Sequence, residues 1–554
     1  MGTNDEHDAV ALAQTALRAL VAQEPERHPL VIGLVAPLGT PLDQAADGLK
    51  PAFERYTYVT EVVHMSRLLD EVPNAPWLPL PTTHNVDYYT RRMDAGNELR
   101  VLAQSGSALA VLAVGRIAQI RASDSDPKAI LLRSLKHPDE VKLLRHIYGN
   151  AFTLLAVSSP AEEIRENLAT ALGRLKHSRS EAELLIERDE SESLEKSFGQ
   201  NVRDTFSMAD MYLEIRRGVP VADELDRIVD SLFGAPFLTP RPGEEAMKLA
   251  SDASFRSASL GRQVGAVLIP SIGTPMIVGT NEVPKPGGGQ FWDGDEPDHR
   301  DFQMGEDSNP VYIRLMLQDL LERLATRPDL LNDEMRGKTP EELYEVVQQK
   351  DADGGSALDG TRARALIEFM RCVHAEQAAI INAARSGVST QGAALYCTTF
   401  PCHECTKMIV AAGITEVVYI EPYAKSLAGQ LYVDLIEVQP PAGRSSGLAN
   451  GKVPFRAFVG IAPSRYEVAF KAGDRKVGEL PRALNPLANP RTTGWHAGAV
   501  SDREDLAIAS LNQVLSSRLL RPTQQGPIAE PLPIPVESPP ASGRVRSRKA
   551  GDAS

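Results

Sequence analysis

The sequence predicts an α/β protein with at least two domains. Apolar segments rich in branched residues, such as 28–35 and 152–157, alternate with longer helical stretches. Strands that alternate with helices usually form a parallel sheet with helices on both faces. A proline-rich break at 235–242 divides the chain, and 554 residues exceed what one hydrophobic core holds. We therefore expect two α/β domains in series.

The first domain is placed at residues 29–235, after a mostly helical lead at 1–28. Residues 28–35 form an apolar run that continues into a glycine turn, as expected for a buried strand. Further strands of this domain are predicted at 56–63, 129–135 and 152–157.

The second domain is placed at residues 240–475, with an insertion at about 283–360. The insertion contains a polar, glycine- and aspartate-rich stretch, and such long irregular segments are usually functional or disordered. The elements predicted in order are a helix that carries Met247, strands at 263–269 and 276–280, helices at 315–324 and 362–385, a strand at 394–398, a helix from about 402 and a strand at 417–420.

The end of the chain is predicted to be an extension at 476–522, followed by a tail at 523–554. The tail is rich in proline and ends in a basic run, so it cannot bury a core and is expected to be disordered.

The overall charge and apolar pattern argue against membranes and long nucleic acids as partners. The formal net charge is −14, whereas proteins that hold nucleic acid usually present a basic field. Uninterrupted apolar runs of about 20 residues, as a membrane helix needs, are absent. The polar N-terminus lacks the features of a signal peptide, so we expect a cytoplasmic protein. The charge favours a small substrate or a protein partner.

The four cysteines, Cys372, Cys397, Cys402 and Cys405, all lie in one short segment. A disulfide framework would distribute cysteines through the fold, so this clustering near a histidine indicates a metal site. We assign His374, Cys402 and Cys405 as the ligands of a zinc ion. Three protein ligands leave the fourth tetrahedral position open, as in catalytic zinc sites.

Glu376 is the candidate catalytic residue, because it lies two positions after His374. A carboxylate beside an activated water can accept its proton and deliver it to a substrate nitrogen. The pattern His-x-Glu followed by Pro-Cys-x-x-Cys is typical of zinc-dependent nucleobase deaminases. The alternatives are a structural zinc knot or a redox cysteine pair, and Cys372, Cys397 and His403 could close such a knot.

Residues 254–470 resemble the cytidine and deoxycytidylate deaminase superfamily. The resemblance implies a cytidine-deaminase-like α/β/α domain, in which Asn281 contacts the sugar and the Ala375 backbone contacts the pyrimidine edge. The matching segments are 262–267, 279–281, 374–376, 401–405 and 412–419.

A narrower resemblance is to bacterial anti-phage deoxycytidine triphosphate (dCTP) deaminases. It rests on the segments 199–206, 287–292, 300–302 and 422–428. The resemblance implies conversion of free deoxycytidine nucleotides to deoxyuridine nucleotides, which starves phage replication, and it implies a homo-oligomer. Arg262, Arg256 and Lys425 are candidates for the phosphate site, although each alone also fits a surface charge or an ordinary ion pair.

The glycine-containing turn at 33–40 resembles the phosphate-binding loop of P-loop proteins. Gly33, Gly39 and Thr40 are the candidate nucleotide-binding residues, but the loop lacks the lysine that reaches the phosphates, so this Walker A motif is degenerate. With the segment 134–141, the loop implies a P-loop kinase-like three-layer domain. We expect this domain to sense a nucleotide or a phage-derived signal without phosphoryl transfer, or to serve only as a scaffold.

Three other functions remain open from the sequence. The first is a housekeeping deoxycytidine monophosphate (dCMP) deaminase that supplies dUMP, although such an enzyme needs only the deaminase core. The second is a nucleic-acid editor that deaminates cytosine or adenine, which the negative charge disfavours. The third is a noncatalytic sensor with structural zinc, and such a protein would not need the Glu376 carboxylate.

Overall fold

The computed structural model describes residues 27–123, 126–173, 178–192, 198–273, 275–327, 330, 332–350, 355–423, 426–439, 448, 450–492 and 496–519. Most of the helical lead and all of the proline-rich tail lie outside these residues. The strands are β1 Leu30–Val35, β2 Val59–His64, β3 Lys128–Arg133, β4 Phe152–Ser158, β5 Met211–Glu214, β6 Gly265–Ile269, β7 Ile277–Thr280, β8 Ala394–Thr399, β9 Glu416–Glu421, β10 Ile436–Val438, β11 Val453–Ala457, β12 Gly460–Ile461, β13 Lys476–Val477 and β14 Leu480–Pro481.

The longest helix of the described residues lies at their C-terminal end and has 23 residues. In chain order they are α1 Leu42–Glu54, α2 Val86–Ala103, α3 Ala108–Ser123, α4 Pro138–Tyr148, α5 Ala161–Ala171, α6 Ser178–Ser191, α7 Val202–Ser207, α8 Ala222–Phe233, α9 Pro242–Ser254, α10 Asp301–Met304, α11 Ser308–Ala325, α12 Asp333–Arg336, α13 Pro340–Gln348, α14 Ala375–Arg385, α15 His403–Ala411, α16 Ala428–Leu431, α17 Tyr466–Phe470 and α18 Ala497–Leu519. Within the described residues no single helix has the length and apolar composition of a membrane span. Helices α2 and α3 satisfy those criteria only when taken together, and they are bent by 94° relative to each other.

The first sheet has the strand order β12-β5-β4-β1-β3-β2. The strands β2, β3, β1, β4 and β5 are parallel, and Val31 of β1 pairs with Ile130 on one side and Phe152 on the other. β1 is buried along its whole length, as expected for a central parallel strand. The prediction of an α/β fold with a parallel-rich sheet is confirmed, whereas the P-loop kinase-like classification stays a prediction.

The strand predicted at 56–63 begins instead at Val59. Thr57 has φ 57°, a left-handed backbone that does not fit an extended strand. The neighbouring Tyr56 and Tyr58 pack on Phe233, with ring centroids 4.0 and 5.1 Å apart. Three bulky aromatic side chains in one cluster therefore hold this segment as a turn before β2 begins.

The second sheet has the order β10-β11-β9-β8-β6-β7 and lies between α9 and α14. A Cβ on Gly265 would lie 1.8 Å from the Ala250 carbonyl oxygen of α9, and one on Gly279 would lie 2.1 Å from the Ala375 carbonyl oxygen of α14. Gly279 pairs with Ala266, the residue next to Gly265, so the two close approaches occur on opposite faces. Glycine is required here because the helix backbones touch the sheet.

The helix predicted at 362–385 is wrong in its first half. Only a short 3-10 turn occurs at 362–365, and the α-helix begins at Ala375. Val373 forms an antiparallel bridge with Glu282, with N–H to carbonyl distances of 3.1 and 3.2 Å. Because this bridge keeps the backbone of Val373 extended, the helix can begin only after Val373.

The two sheets are joined by the segment after β11. β11 lies in the second sheet, and β12, only two residues later, pairs antiparallel with β5 of the first sheet. Phe458 lies between them and contacts Tyr212 at 5.7 Å between ring centroids. The domain boundaries at 29–235 and 240–475 stay predictions, and this crossover adds a C-terminal strand to the N-terminal sheet.

Helix α18 of the C-terminal extension packs on the N-terminal domain. Its Val500, Leu511 and Leu515 belong to the same hydrophobic core as the residues of α3. Glu504 is buried in this contact, where it accepts hydrogen bonds from Arg121 at 2.5 Å and Tyr148 at 2.9 Å. One carboxylate therefore joins the extension to two helices of the first domain.

We expect Glu504→Ala to lower the free energy of unfolding by about 2 kcal/mol, because it leaves the buried Tyr148 hydroxyl and the partly buried Arg121 without their partner. Urea denaturation of the full chain measures this loss. Asp505→Ala, an exposed change on the same helix, is the matched control and should stay within about 0.5 kcal/mol of the wild type. Equal stability of both variants would show that α18 does not dock in this way.

Candidate metal centre and active site

His374 is positioned by the start of α14. The Val373 bridge to Glu282 fixes the chain just before it, and His374 is the N-cap, with an extended backbone (φ −67°, ψ 155°). Its carbonyl accepts from the Ala378 N–H at 2.8 Å, which closes the first turn. The imidazole is therefore held at a helix N-terminus.

Cys402 and Cys405 are positioned by the start of α15. Cys402 is the N-cap, and its sulfur accepts a hydrogen bond from the Cys405 N–H at 3.4 Å. Cys405 lies in the first turn, so both sulfurs face the same end of the helix. The helix was predicted to begin at about Cys402, and it begins at His403.

The two helix N-termini bring the three predicted ligands together. Nδ1 of His374 lies 3.3 Å from the sulfur of Cys402 and 3.3 Å from that of Cys405. The three ligand atoms lie within 4.8 Å of one another. Among the residues that the structure describes, this is the one group of histidine, cysteine and acidic side chains with metal-binding geometry, and it does not include Cys372, Cys397 or His403.

The electrostatics of the cluster favour a thiolate at Cys402. Hydrogen bonds from Cys405 and His374 lower the pKa of Cys402 to about 4. Burial opposes the charged form of His374, but the hydrogen bond and the negative charge of Cys402 outweigh it and raise the pKa of the imidazole. Two helix N-termini add positive potential at the same point. The site is therefore built to hold negative sulfur, the form that binds zinc.

Glu376 lies in the first turn of α14 and is buried, with 4% of its surface exposed. Burial raises the pKa of its carboxyl group, while the positive charge of His374 opposes the rise. The carboxyl group contacts Cys405, so it lies beside the ligand cluster. A raised pKa suits a group that must both accept and donate a proton.

Asn281 and Ala375 are both buried near the cluster. The Asn281 side chain accepts from the Val264 N–H at 2.7 Å and donates to the Arg262 carbonyl at 2.7 Å. It therefore holds the loop before β6. Their predicted contacts with sugar and base stay predictions.

The predicted phosphate-binding cations differ in their surroundings. Arg262 is exposed, pairs with Glu421 at 3.5 Å and lies over the Tyr423 ring at 5.9 Å. Arg256 lies over the Trp292 ring at 4.2 Å and donates to Gln290. Lys425 lies outside the described residues.

Sequence reasoning gave no role to three side chains at this site. Tyr423 lies close enough for the charge of Cys402 to contribute to the raised pKa of its phenol, after the larger effect of burial. The Met370 sulfur lies 3.4 Å from Nε2 of His374. Gln290 is buried and donates to the Thr280 carbonyl at 2.5 Å, which fixes the oxygen that Arg256 binds. The segments 287–292 and 422–428, which carry the resemblance, contain Gln290 and Tyr423, whereas Met370 lies in neither.

The candidate residues of the N-terminal domain do not join the metal cluster. Gly33 lies in the interior, where a Cβ would meet the side chain of Leu135 at 2.6 Å. Gly39 has φ 98°, and a Cβ on it would meet the Ile164 carbonyl oxygen at 2.5 Å. Thr40 is buried, and its hydroxyl has no hydrogen-bond partner in the described part of the chain.

Comparison with known proteins identifies the region that contains the cluster. Residues 241–421 match the family model of the cytidine and deoxycytidylate deaminase zinc-binding region. ComE operon protein 2 of Bacillus subtilis is 42% identical over 74 residues, which are 12% of this chain and 39% of that protein. Deoxycytidylate deaminase of enterobacteria phage T2 is 47% identical over 57 residues, 10% of this chain and 30% of that enzyme. The chain therefore spans less than half the length of these relatives.

Among solved structures, dCMP deaminase from the cyanophage S-TIM5, in complex with dCMP and dUMP, is 19% identical. The likeness covers 40% of this chain and 99% of that chain, with a TM-score of 0.21.

The chain thus contains a zinc-binding region of the cytidine and deoxycytidylate deaminase family and has deoxycytidylate deaminases among its homologues. The donor set fits this metal, because one imidazole and two thiolates are ligands that zinc prefers.

We expect Cys402→Ala to bind zinc at least about 100-fold more weakly, since even residues that only support a ligand change metal affinity 10–100-fold. Metal analysis of the purified protein, with competition by a chelator, measures the change. Cys372→Ala is the matched control and should keep its zinc, because Cys372 lies outside the cluster. Zinc loss in the control, or full zinc in Cys402→Ala, would contradict the ligand assignment.

Proposed function

We propose that this protein is a zinc-dependent hydrolase that deaminates free deoxycytidine nucleotides to deoxyuridine nucleotides. The observation that carries the proposal is the buried Glu376 carboxyl beside a cluster of three zinc ligands. A structural zinc site has four protein ligands and no use for a buried acid next to them. His374, Cys402 and Cys405 would hold the zinc.

A zinc ion held by His374, Cys402 and Cys405 would supply Lewis-acid chemistry, which lowers the pKa of a water molecule. Glu376 accepts the proton from the attacking water and delivers it to ring nitrogen N3 of the cytosine. It then carries a second proton to the amino group on C4. The C4–N bond breaks, the C4 carbonyl forms, and ammonia leaves.

Two structural features suit Glu376 to this proton transfer. Its burial excludes bulk water, which would otherwise exchange the proton, and it raises the pKa of the carboxyl group. Its position two residues after the N-cap His374 fixes its distance from the ligands through the first turn of α14. The carboxyl group can therefore accept the proton of the water and donate it to the substrate without a large movement.

We propose dCTP as the substrate within this class. The segments 287–292, 300–302 and 422–428 of the sequence resemble the anti-phage dCTP deaminases. Tyr423 lies close enough to Cys402 to interact with its charge, and Arg262 lies over the Tyr423 ring at 5.9 Å, so an aromatic ring and a positive charge are available near the cluster. Arginine is well suited to phosphate because its planar guanidinium forms paired hydrogen bonds.

We further propose that the protein is a cytoplasmic homo-oligomer that defends against phage. Removal of deoxycytidine nucleotides starves a replicating phage genome of one precursor. The alternatives are a housekeeping dCMP deaminase and a nucleic-acid deaminase. The net charge of −14 favours a free nucleotide over a long nucleic acid.

Ammonia release and product analysis test the proposal directly. The zinc-loaded protein is offered dCMP, dCDP, dCTP, CTP and single-stranded DNA in parallel. We expect dUTP from dCTP, at a higher kcat/KM than for the other substrates. Preference for dCMP would favour the housekeeping alternative, and activity on DNA alone would favour the editing alternative.

Glu376→Gln is the matched inactive variant for this assay. It keeps the shape of the side chain, so zinc content should not change, while kcat should fall by about 10²–10⁴-fold. Normal turnover by this variant would show that Glu376 does not transfer the proton.

A further inference from the structure

A cavity that none of the metal-cluster residues lines lies in the N-terminal domain. It has a volume of about 450 Å³, within the usual range of ligand sites, and lies at the carboxyl ends of β1, β2 and β3. Ligands of open α/β sheets commonly bind at this edge. The turn at 36–43 forms one wall, and residues that follow β2 and β3 form the other walls.

The turn after β1 binds a carboxylate that belongs to the protein itself. Oδ2 of Asp189 accepts from the Leu38 N–H at 3.0 Å and pairs with Nζ of Lys136 at 2.7 Å. Nζ of Lys136 also donates to the Ala36 carbonyl at 3.2 Å. Asp189 is fully buried. An internal carboxylate and its lysine thus occupy the place where a phosphate-binding loop would hold phosphate groups.

Free positive charge lies on another wall of the cavity. Arg67 lines the cavity, is exposed, and forms no hydrogen bond or ion pair with any residue in the described part of the chain. Arg133 lies beside it, where it contacts His64 at 3.3 Å and pairs with the exposed Asp43 at 2.8 Å. A phosphate could therefore bind Arg67 and displace a weak surface pair at Arg133.

The remaining walls offer an aromatic surface and buried hydrogen-bonding atoms. His84, Tyr88 and Tyr89 form a ring cluster with centroids 4.4–6.0 Å apart. Thr40 and Asp189 are lining residues of the cavity, and the Thr40 hydroxyl and Oδ1 of Asp189 are buried without a hydrogen-bond partner within the described residues. Unpaired buried polar atoms of this kind carry a free-energy penalty until a ligand satisfies them.

We propose that this cavity binds a nucleoside monophosphate whose base carries an amino group. The aromatic cluster contacts the base, Arg67 and Arg133 bind the phosphate, and Oδ1 of Asp189 accepts a hydrogen bond from the amino group. A base with a carbonyl group at that position would bind more weakly, because its oxygen and the Asp189 carboxylate are both hydrogen-bond acceptors. A single phosphate suits this arrangement, because Asp189 and Lys136 already bind groups of the turn after β1 and leave Arg67 and Arg133 as the proposed phosphate contacts.

Calorimetric titration of the full-length, zinc-loaded Glu376→Gln protein tests the proposal without turnover. AMP and IMP differ only in the amino or carbonyl group, and neither is a cytosine substrate, so the outcome is independent of the proposed deamination. We expect one AMP per chain, with IMP at least about 10-fold weaker because one buried hydrogen bond is lost. Inorganic phosphate and adenosine serve as the two partial probes and should each bind more weakly than AMP.

Arg67→Ala should weaken AMP binding by at least about 10-fold without changing stability, because Arg67 has no partner whose loss could affect the fold. Thr40→Val should also weaken AMP binding, because it removes an unpaired hydroxyl from a residue that lines the cavity. Arg116→Ala is the matched control, since Arg116 pairs with Glu71 on the surface of the same domain, outside the cavity. The absence of AMP binding, equal affinity for AMP and IMP, equal affinity for inorganic phosphate, or hydrolysis of ATP would each overturn the proposal.

Discussion

The convergence of two helix N-termini on one point is the constraint on which the candidate active site depends. α14 supplies His374 and Glu376, and α15 supplies Cys402 and Cys405, each from its N-cap or first turn. Unpaired N–H groups at helix starts favour negative sulfur and, when zinc is present, stabilise thiolate ligands. If either helix began one residue earlier or later, the 3.3 Å contacts between sulfur and imidazole would be lost.

The sheet and its close contacts fix where these two helices begin. Gly279 lets β7 touch the backbone of α14, and the Val373 bridge to Glu282 sets the residue before His374. On the opposite face, Gly265 lets α9 touch β6, and Glu244 of α9 accepts from the Ile461 N–H at 2.9 Å. Because Ile461 belongs to the sheet of the N-terminal domain, the support of the metal centre extends into the first half of the chain.

The local parts of this structure could be predicted from the sequence, whereas the long-range parts could not. The strands β1, β4 and β8 and the ligand set follow from short patterns of apolar residues, cysteine and histidine. The late start of α14 depends on a bridge to Glu282, about 90 positions earlier, which has no local signal. The pairing of β12 with β5, the docking of α18 and the ion pair of Lys136 with Asp189 likewise join distant segments. Gly33 and Gly39 indicated a turn after β1 from the sequence. No local sequence pattern indicated that Asp189 packs into that turn.

X-ray absorption at the zinc edge of the metal-loaded protein distinguishes a catalytic from a structural zinc site, because it counts the atoms around the metal. We expect two sulfur atoms at about 2.3 Å and two lighter atoms at about 2.0–2.1 Å, one imidazole nitrogen and one oxygen from solvent. We also expect this oxygen to exchange for a substrate or inhibitor atom when a cytosine nucleotide analogue is added. Three or four sulfur atoms, or a second imidazole, would mean a closed structural site and would contradict the proposed catalytic role.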